Sequence, residues 1–439
     1  MRISRTRNTG HRNVRRFVFF SVVAWLSGVS LWSHANTAET KTLSLAEAID
    51  RTLKHHPDIQ AYPYYLRQAE GRALQADVGP SPTLDLSMEN VFGSGSYSGT
   101  DVAEYNLGLS QVIELGSKRK QRIGFADASN EVTQAEYELT RLDVLAETSK
   151  RFYQTLHTQA LISWAENKQR VESQALNAIK RRAQSGAVMQ ADVSNLKLHL
   201  ARTTQQLANL NNLWQLQKLW LSAMWLDESD FNSVSGSLSQ LPSAQTYDAL
   251  VSQIASFPEY IVHFSQQRLA DQQVALSKAN GRANLELGVG IRQYSDSSDS
   301  AFMLTASMPL QFSNPNRGRI AEALASAELS SNQLVWNKQA LQLSLKQLWM
   351  KLEAANKLVA DISNSTLPLA KAFQQQARQA YQKGQFSVLQ LLNANDQVFS
   401  LEKELIDQQL SFLNLLLEIE RVTGTPIIRE QNKIQNSQL

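Results

Sequence analysis

The chain has 439 residues, enough for one large domain or two to three ordinary ones, and its 43% hydrophobic content is that of a folded protein rather than a disordered one. It has no cysteine, which excludes disulfides, thiolate metal sites, a cysteine nucleophile and a lipid-anchored N-terminal cysteine. It carries 43 basic and 40 acidic residues. Six of the arginines lie in the first 16 positions, and removing them leaves 37 basic residues against 40. The basic isoelectric point therefore belongs to the N-terminus, and no nucleic-acid partner is expected.

Residues 1–35 read as a signal peptide. Arg2, Arg5, Arg7, Arg12, Arg15 and Arg16 form a basic head without acids, 17–32 is apolar, and Ser33-His34-Ala35 has the small-x-small form of a cleavage site. A membrane anchor is the alternative reading. No later apolar run reaches the roughly 18–20 residues that a spanning helix needs, so a mature chain that crosses a membrane must do so as strands.

Beyond this segment the chain repeats itself weakly at a spacing of about 200 residues. Ala48-Ile49 through Pro57-Asp58 matches Ala249-Leu250 through Pro258-Glu259, Arg122-Ile123 matches Arg319-Ile320, and Ser185-Gly186 matches Lys383-Gly384. The expected organisation is a first structural repeat over 36–240, a second over 241–426, and a polar tail over 427–439. Each repeat holds a helix interrupted by proline, a strand hairpin and two long helices joined by a glycine turn.

The first helices are expected over 44–78, broken at Pro57 and Pro63, and over 247–282, broken at Pro258. Strands are expected over 83–89, 105–110, 285–292 and 302–312, where apolar and polar residues alternate with period two. Leu84, Leu86 and Met88 share one face; Asp85 and Glu89 share the other. Leu287, Val289 and Ile291 likewise oppose Glu286 and Arg292. Eight to eleven residues suit a tilted strand crossing a bilayer. A soluble sandwich edge with one wet face is the alternative for the strands alone.

A proline-free stretch follows each hairpin, from 116 to about 182 and from 317 to 367, after which Pro368 kinks or restarts the helix. The first would be on the order of 100 Å long, too long for a compact globule. Val193, Leu196, Leu200, Leu207, Leu210, Trp214, Leu221 and Met224 repeat at three- and four-residue spacing, as do Leu345, Leu348, Leu352, Ala355, Val359 and Ile362. That is a coiled-coil seam. Four strands cannot close a barrel and open edges are not tolerated in lipid, so several copies must complete one barrel continued by a helical tube. An exit channel is the function such a geometry suggests.

Leu43 through Ala48, Ser185-Gly186 through Asp192, and Tyr381 through Leu392 resemble the opening helix and the two helical tips of the TolC family of outer-membrane efflux proteins. The resemblance spans about 43–425. Glu104 through Arg122, Met308-Pro309-Leu310 and Asn314 through Gly318 resemble the branch that serves heavy-metal (cobalt, zinc, cadmium) exporters. It implies an α+β membrane protein: a trimeric β-barrel with four strands per chain, continued by a long α-helical coiled-coil barrel. The implied partners are two further copies, outer-membrane lipid, a periplasmic adaptor (membrane fusion protein) and an inner-membrane resistance-nodulation-division pump. It implies no cofactor and no catalysis, and the substrate is either heavy-metal cations or small organic molecules. A soluble periplasmic coiled-coil scaffold is the remaining competitor.

The resemblance also places candidate sites. The ring that narrows the tunnel maps onto Gln390 and Asn393, both neutral, with Asp396 one turn further as a substitute or, more simply, a solvated acid. A latching hydrogen bond maps onto Tyr381 and Asp192, but the basic member of that network falls on Phe386. Gly186 and Gly384 mark the tips, as turns and as adaptor-docking points. Asp85, Glu89, Asn106, Ser110, Glu286, Arg292, Thr305 and Gln311 are expected to face the barrel lumen. His55 and His56 are adjacent, and His157, His199 and His263 stand alone, so spacing identifies no metal site. No lipase-type elbow, P-loop or dinucleotide fingerprint is present, which argues against an enzyme.

Overall fold

The computed structural model describes residues 41–242 and 245–425. The proposed signal peptide, the C-terminal tail and the first cleavage-site residues lie outside them. The chain opens with a two-residue strand β1 (Thr42–Leu43), then helices α1 (Leu45–His55) and α2 (Pro57–Asp77). Ser44 caps α1 by accepting the Glu47 N–H at 3.2 Å. Pro57 starts α2 at a position where its missing N–H costs nothing, so the break falls where the sequence placed it. Pro63 does not break the chain; it lies inside α2.

Strands β2 (Thr83–Glu89) and β3 (Glu104–Ile113) form the first hairpin. Helix α3 (Lys118–Gln184) follows, 67 residues and roughly 100 Å long, then α4 (Gln190–Ser222). A short strand β4 (Ser233–Val234) pairs parallel with β1. The second half repeats the order: α5 (Tyr247–Ser252), α6 (Pro258–Asn280), hairpin β5 (Leu285–Tyr294) and β6 (Ser300–Ser307), then α7 (Arg317–Asp361), α8 (Leu367–Gln382) and α9 (Val388–Thr423).

The last strand is shorter than expected. It ends at Ser307, because Pro309 has no N–H to give a ladder, and Met308, Leu310 and Phe312 are exposed beyond it. Gln311 therefore lies outside the strand. Between α7 and α8 the backbone makes a π turn over Ile362–Thr366. Pro368 then occupies the first turn of α8, so the wider turn absorbs the lost helical hydrogen bond without a chain break. The turn also keeps the apolar stripe in phase. Val359, Ile362, Leu367 and Ala377 are all buried although the step from 362 to 367 is five residues.

The four long strands form one antiparallel sheet in the order β2-β3-β5-β6. Leu86 pairs with Leu107, Leu107 with Ile291 and Ile291 with Phe302; Leu84, Leu109, Val289 and Leu304 form the next rung. These side chains are exposed, so one whole face of the sheet is bare hydrocarbon. The largest buried cluster sits elsewhere, as a belt around the middle of the helices. Leu45, Phe152, Leu221, Phe231, Val234, Leu250, Leu345 and Leu416 contribute to it. No helix among the described residues is long and apolar enough to cross a membrane.

Candidate functional site: a channel wall and its helical tips

Period-two alternation leaves the opposite face of the sheet polar, and its groups bond to one another. Ser110 Oγ donates to Asp85 Oδ2 at 3.1 Å, and Asn106 Nδ2 donates to Glu89 Oε1 at 3.2 Å. Arg292 Nε donates to Asn106 Oδ1 at 2.8 Å and Arg292 Nη1 to Glu104 Oε2 at 2.8 Å. Glu286 and Thr305 share this face by register. The structure thus gathers seven of the eight expected lumen residues on one surface, with Gln311 the exception. Glycine makes that surface thin at one rung. Gly290 stands opposite Gly108, and a Cβ on Gly290 would lie 2.8 Å from the Leu107 carbonyl oxygen.

At the far ends of the long helices the two tips are built alike. Gly186 N–H donates to the Ala183 carbonyl and Ala187 N–H to Arg182; Gly384 N–H donates to Tyr381 and Gln385 N–H to Ala380. Both glycines have left-handed φ, +76° and +75°. This is the paired-bond helix ending that glycine favours. Leu176, Ile179, Val193, Leu196, Val388 and Leu392 then pack the two tips together.

The gate candidates have three sets of surroundings. First, no hydrogen bond joins Tyr381 and Asp192. The Tyr381 hydroxyl is buried without a hydrogen-bond partner, and Arg182 lies over its ring at 4.7 Å. Arg182 comes from α3 and meets the ring of Tyr381, not its hydroxyl. Second, Gln390 is engaged in a capping box: its Oε1 accepts the Ser387 N–H at 2.8 Å while Ser387 Oγ accepts the Gln390 N–H at 3.3 Å. Asn393 is exposed. Third, Asp396 is no lone solvated acid. Its carboxylate lies 3.6 Å from Lys168 Nζ and 3.7 Å from His199 Nδ1.

Sequence spacing missed this last group, since Lys168, Glu172, His199 and Asp396 come from three helices and no local motif joins them. The other lone histidines have local explanations. His157 Nε2 meets Asp407 Oδ1 at 2.7 Å, and His263 lies within 3.1 Å of Gln266 Oε1 on its own helix.

A sheet with one hydrocarbon face and one hydrogen-bonded polar face, carried on helices of this length, has the two-faced pattern of an outer-membrane barrel wall. Residues 48–225 match the family described as outer membrane efflux protein. It is similar to the cobalt-zinc-cadmium resistance protein CzcC of Cupriavidus metallidurans, with 24% identity over 360 residues, 81% of this chain and 84% of that protein. It is also similar to the nickel-cobalt-cadmium resistance protein NccC of Alcaligenes xylosoxydans xylosoxydans, with 22% identity over 63% of this chain and 64% of that protein.

Among solved structures, the outer membrane protein VceC of Vibrio cholerae aligns with TM-score 0.71 and 18% identity, covering 87% of this chain and 96% of that one. The transmembrane channel CusC aligns with TM-score 0.72 and 15% identity, covering 90% and 95%. The fold is that of these channels. The match over 48–225 and these relatives associate the chain with outer-membrane efflux and metal resistance, and none of them is named as an enzyme.

Proposed function

We propose that three copies of the chain form one duct: a twelve-strand barrel in the outer membrane, continued by a helical tunnel, and built from an internal duplication. The observation that carries this reading is the four-stranded sheet, whose apolar face is exposed and whose edges β2 and β6 have no strand partner among the described residues. Open edges in lipid leave backbone groups unsatisfied, and closure with neighbouring copies removes them. The matched hydrogen bonds at the two tips support the duplication.

In this reading the duct is passive and works with a periplasmic adaptor, which meets the tips at Gly186 and Gly384, and an inner-membrane resistance-nodulation-division pump that supplies the energy. The cargo is heavy-metal cations, a reading supported by the names of the two resistance proteins. The polar face of the sheet, with Asp85, Glu89, Glu286 and Arg292, lines the pore.

The test is growth of a deletion strain, with and without the restored gene, on Zn, Co, Cd, Ni, Cu and Ag salts beside dyes and detergents. Sensitivity confined to metals is expected. Sensitivity confined to dyes and detergents would keep the duct and replace its cargo by organic molecules.

A further inference from the structure

Glu172 on α3, His199 on α4 and Asp396 on α9 each place a carboxylate oxygen or ring nitrogen within 4.8 Å of the others. None of the charge contacts in the group reaches hydrogen-bond distance. His199 Nδ1 is 3.7 Å from Asp396 Oδ2, and Lys168 Nζ is 3.6 Å from Asp396 Oδ1 and 3.9 Å from Glu172 Oε1. Glu172 is only 6% exposed, and its Oε2 is buried with no hydrogen-bond partner. An orphaned carboxylate oxygen in such a place calls for an occupant. Burial raises the Glu172 pKa, while the Thr203 hydroxyl, Lys168 and His199 pull it back.

The spacing suits a small cation. Metal–ligand bonds of 2.0–2.1 Å in a tetrahedron put ligand atoms about 3.3 Å apart, so separations of up to 4.8 Å need to close by up to about 1.5 Å. One imidazole and two carboxylates select a borderline divalent ion of the zinc, cobalt or nickel kind. Magnesium and calcium prefer oxygen alone, and soft monovalent copper or silver prefers sulfur. The competitor already in place is the Lys168 ammonium. It has somewhere to withdraw, because the Trp164 and Phe399 rings lie 5.7 and 5.8 Å away.

We propose that Glu172, His199 and Asp396 bind a first-row divalent cation such as Zn2+ in exchange for the Lys168 ammonium, clamping α9 onto α3 and α4. The clamp sits roughly 20 Å from the glycine tips, at the base of the segment that must move if the tips part. It gives the channel a response to periplasmic metal that is separate from whatever passes through the lumen, and it does not depend on the cargo being metal.

The full-length, tag-free protein in detergent, stripped with EDTA and titrated with CoCl2, tests this through the visible absorption of bound cobalt, with Zn2+ as displacer. One saturable cobalt per chain is expected. H199Q and D396N should each weaken binding by at least about tenfold. K168M should tighten it, because a ligand-competing cation is removed. Zinc should raise the thermal midpoint of the wild-type protein and not that of H199Q. His199 is partly exposed, so H199Q serves even if E172Q fails to fold. No saturable uptake, unchanged affinity in H199Q, or weaker binding in K168M overturns the proposal and leaves the cluster an ion-pair network.

Discussion

At the residue scale, the Asp230 carboxyl lies against the Arg51 guanidinium at 2.7 Å and beside the Lys41 ammonium, where it pins the loop before β4 to α1 and to the residue before β1. Hydrogen bonding from Arg51, reinforced by Lys41, holds its pKa down to about 2. A depressed folded pKa stabilises above the ordinary carboxylate range and loses that contribution as pH falls towards 2. Asp230→Asn should therefore lower the thermal midpoint at pH 7 by about 1–2 °C, a modest figure because the pair is half exposed to solvent screening. The gap between the two proteins should close in melts taken from pH 4 down to pH 2.

Tyr381 makes the opposite case. Its hydroxyl bonds to nothing, so Tyr381→Phe should leave stability unchanged or slightly higher, and should not raise uptake of a large antibiotic. Arg182→Ala strips the cation from the ring and should raise that uptake. Leak in the phenylalanine variant alone would reinstate the hydroxyl as a latch.

At the scale of elements, both tip turns rest on backbone conformation rather than on space. A Cβ added at Gly186 or Gly384 meets nothing within 4 Å, yet both residues are left-handed. Alanine at either should cost about 1–2 kcal/mol and asparagine distinctly less, read as shifts in melting midpoint. A clash-based account would instead make asparagine, the larger side chain, the worse of the two.

The turns, the strand faces and the long helices were legible in the sequence because each is a local pattern. Alternation of Leu287, Val289 and Ile291 with Glu286 and Arg292 needs no partner to be read. What was not legible depends on partners distant in the chain or on backbone geometry without a side-chain signature. The π turn at Ile362–Thr366 has no motif beyond Pro368 itself. The β1–β4 pairing joins dipeptides too short for any period. The capping box of Gln390 was written in the sequence as Ser387 three positions earlier, a local signature separate from the ring position that tip resemblance gives Gln390. Asp396 could be placed beside Lys168 and His199 only by folding three helices together.

At the scale of the whole molecule, the exposed apolar groups are those that the proposed three-copy duct would cover. Trp220 on α4 and Trp336 on α7 are about half exposed, as is much of the hydrocarbon face of the sheet. The helical groups fit contacts between copies, and those on the sheet fit contact with lipid. In the hairpin, Tyr294 N–H donates to the Asp299 carbonyl. Antiparallel alternation from that bond directs the N–H groups of Phe302, Leu304 and Ala306 away from β5, towards the open edge. Leu304→Pro should therefore spare the β5–β6 ladder while removing a donor that a neighbouring strand requires. The variant should be made and folded, yet run as monomer rather than as heat-resistant oligomer on semi-native gels.

The open β6 edge has a genetic corollary. In the proposed three-copy barrel, a head-to-tail ring closes only when every member offers both edges, so one defective member spoils the ring it joins. In a cell producing equal amounts of intact and Leu304→Pro chains, random mixing in threes leaves about one ring in eight wholly intact. The defect should thus behave as dominant, with resistance falling well below the half expected of a protein that acts alone.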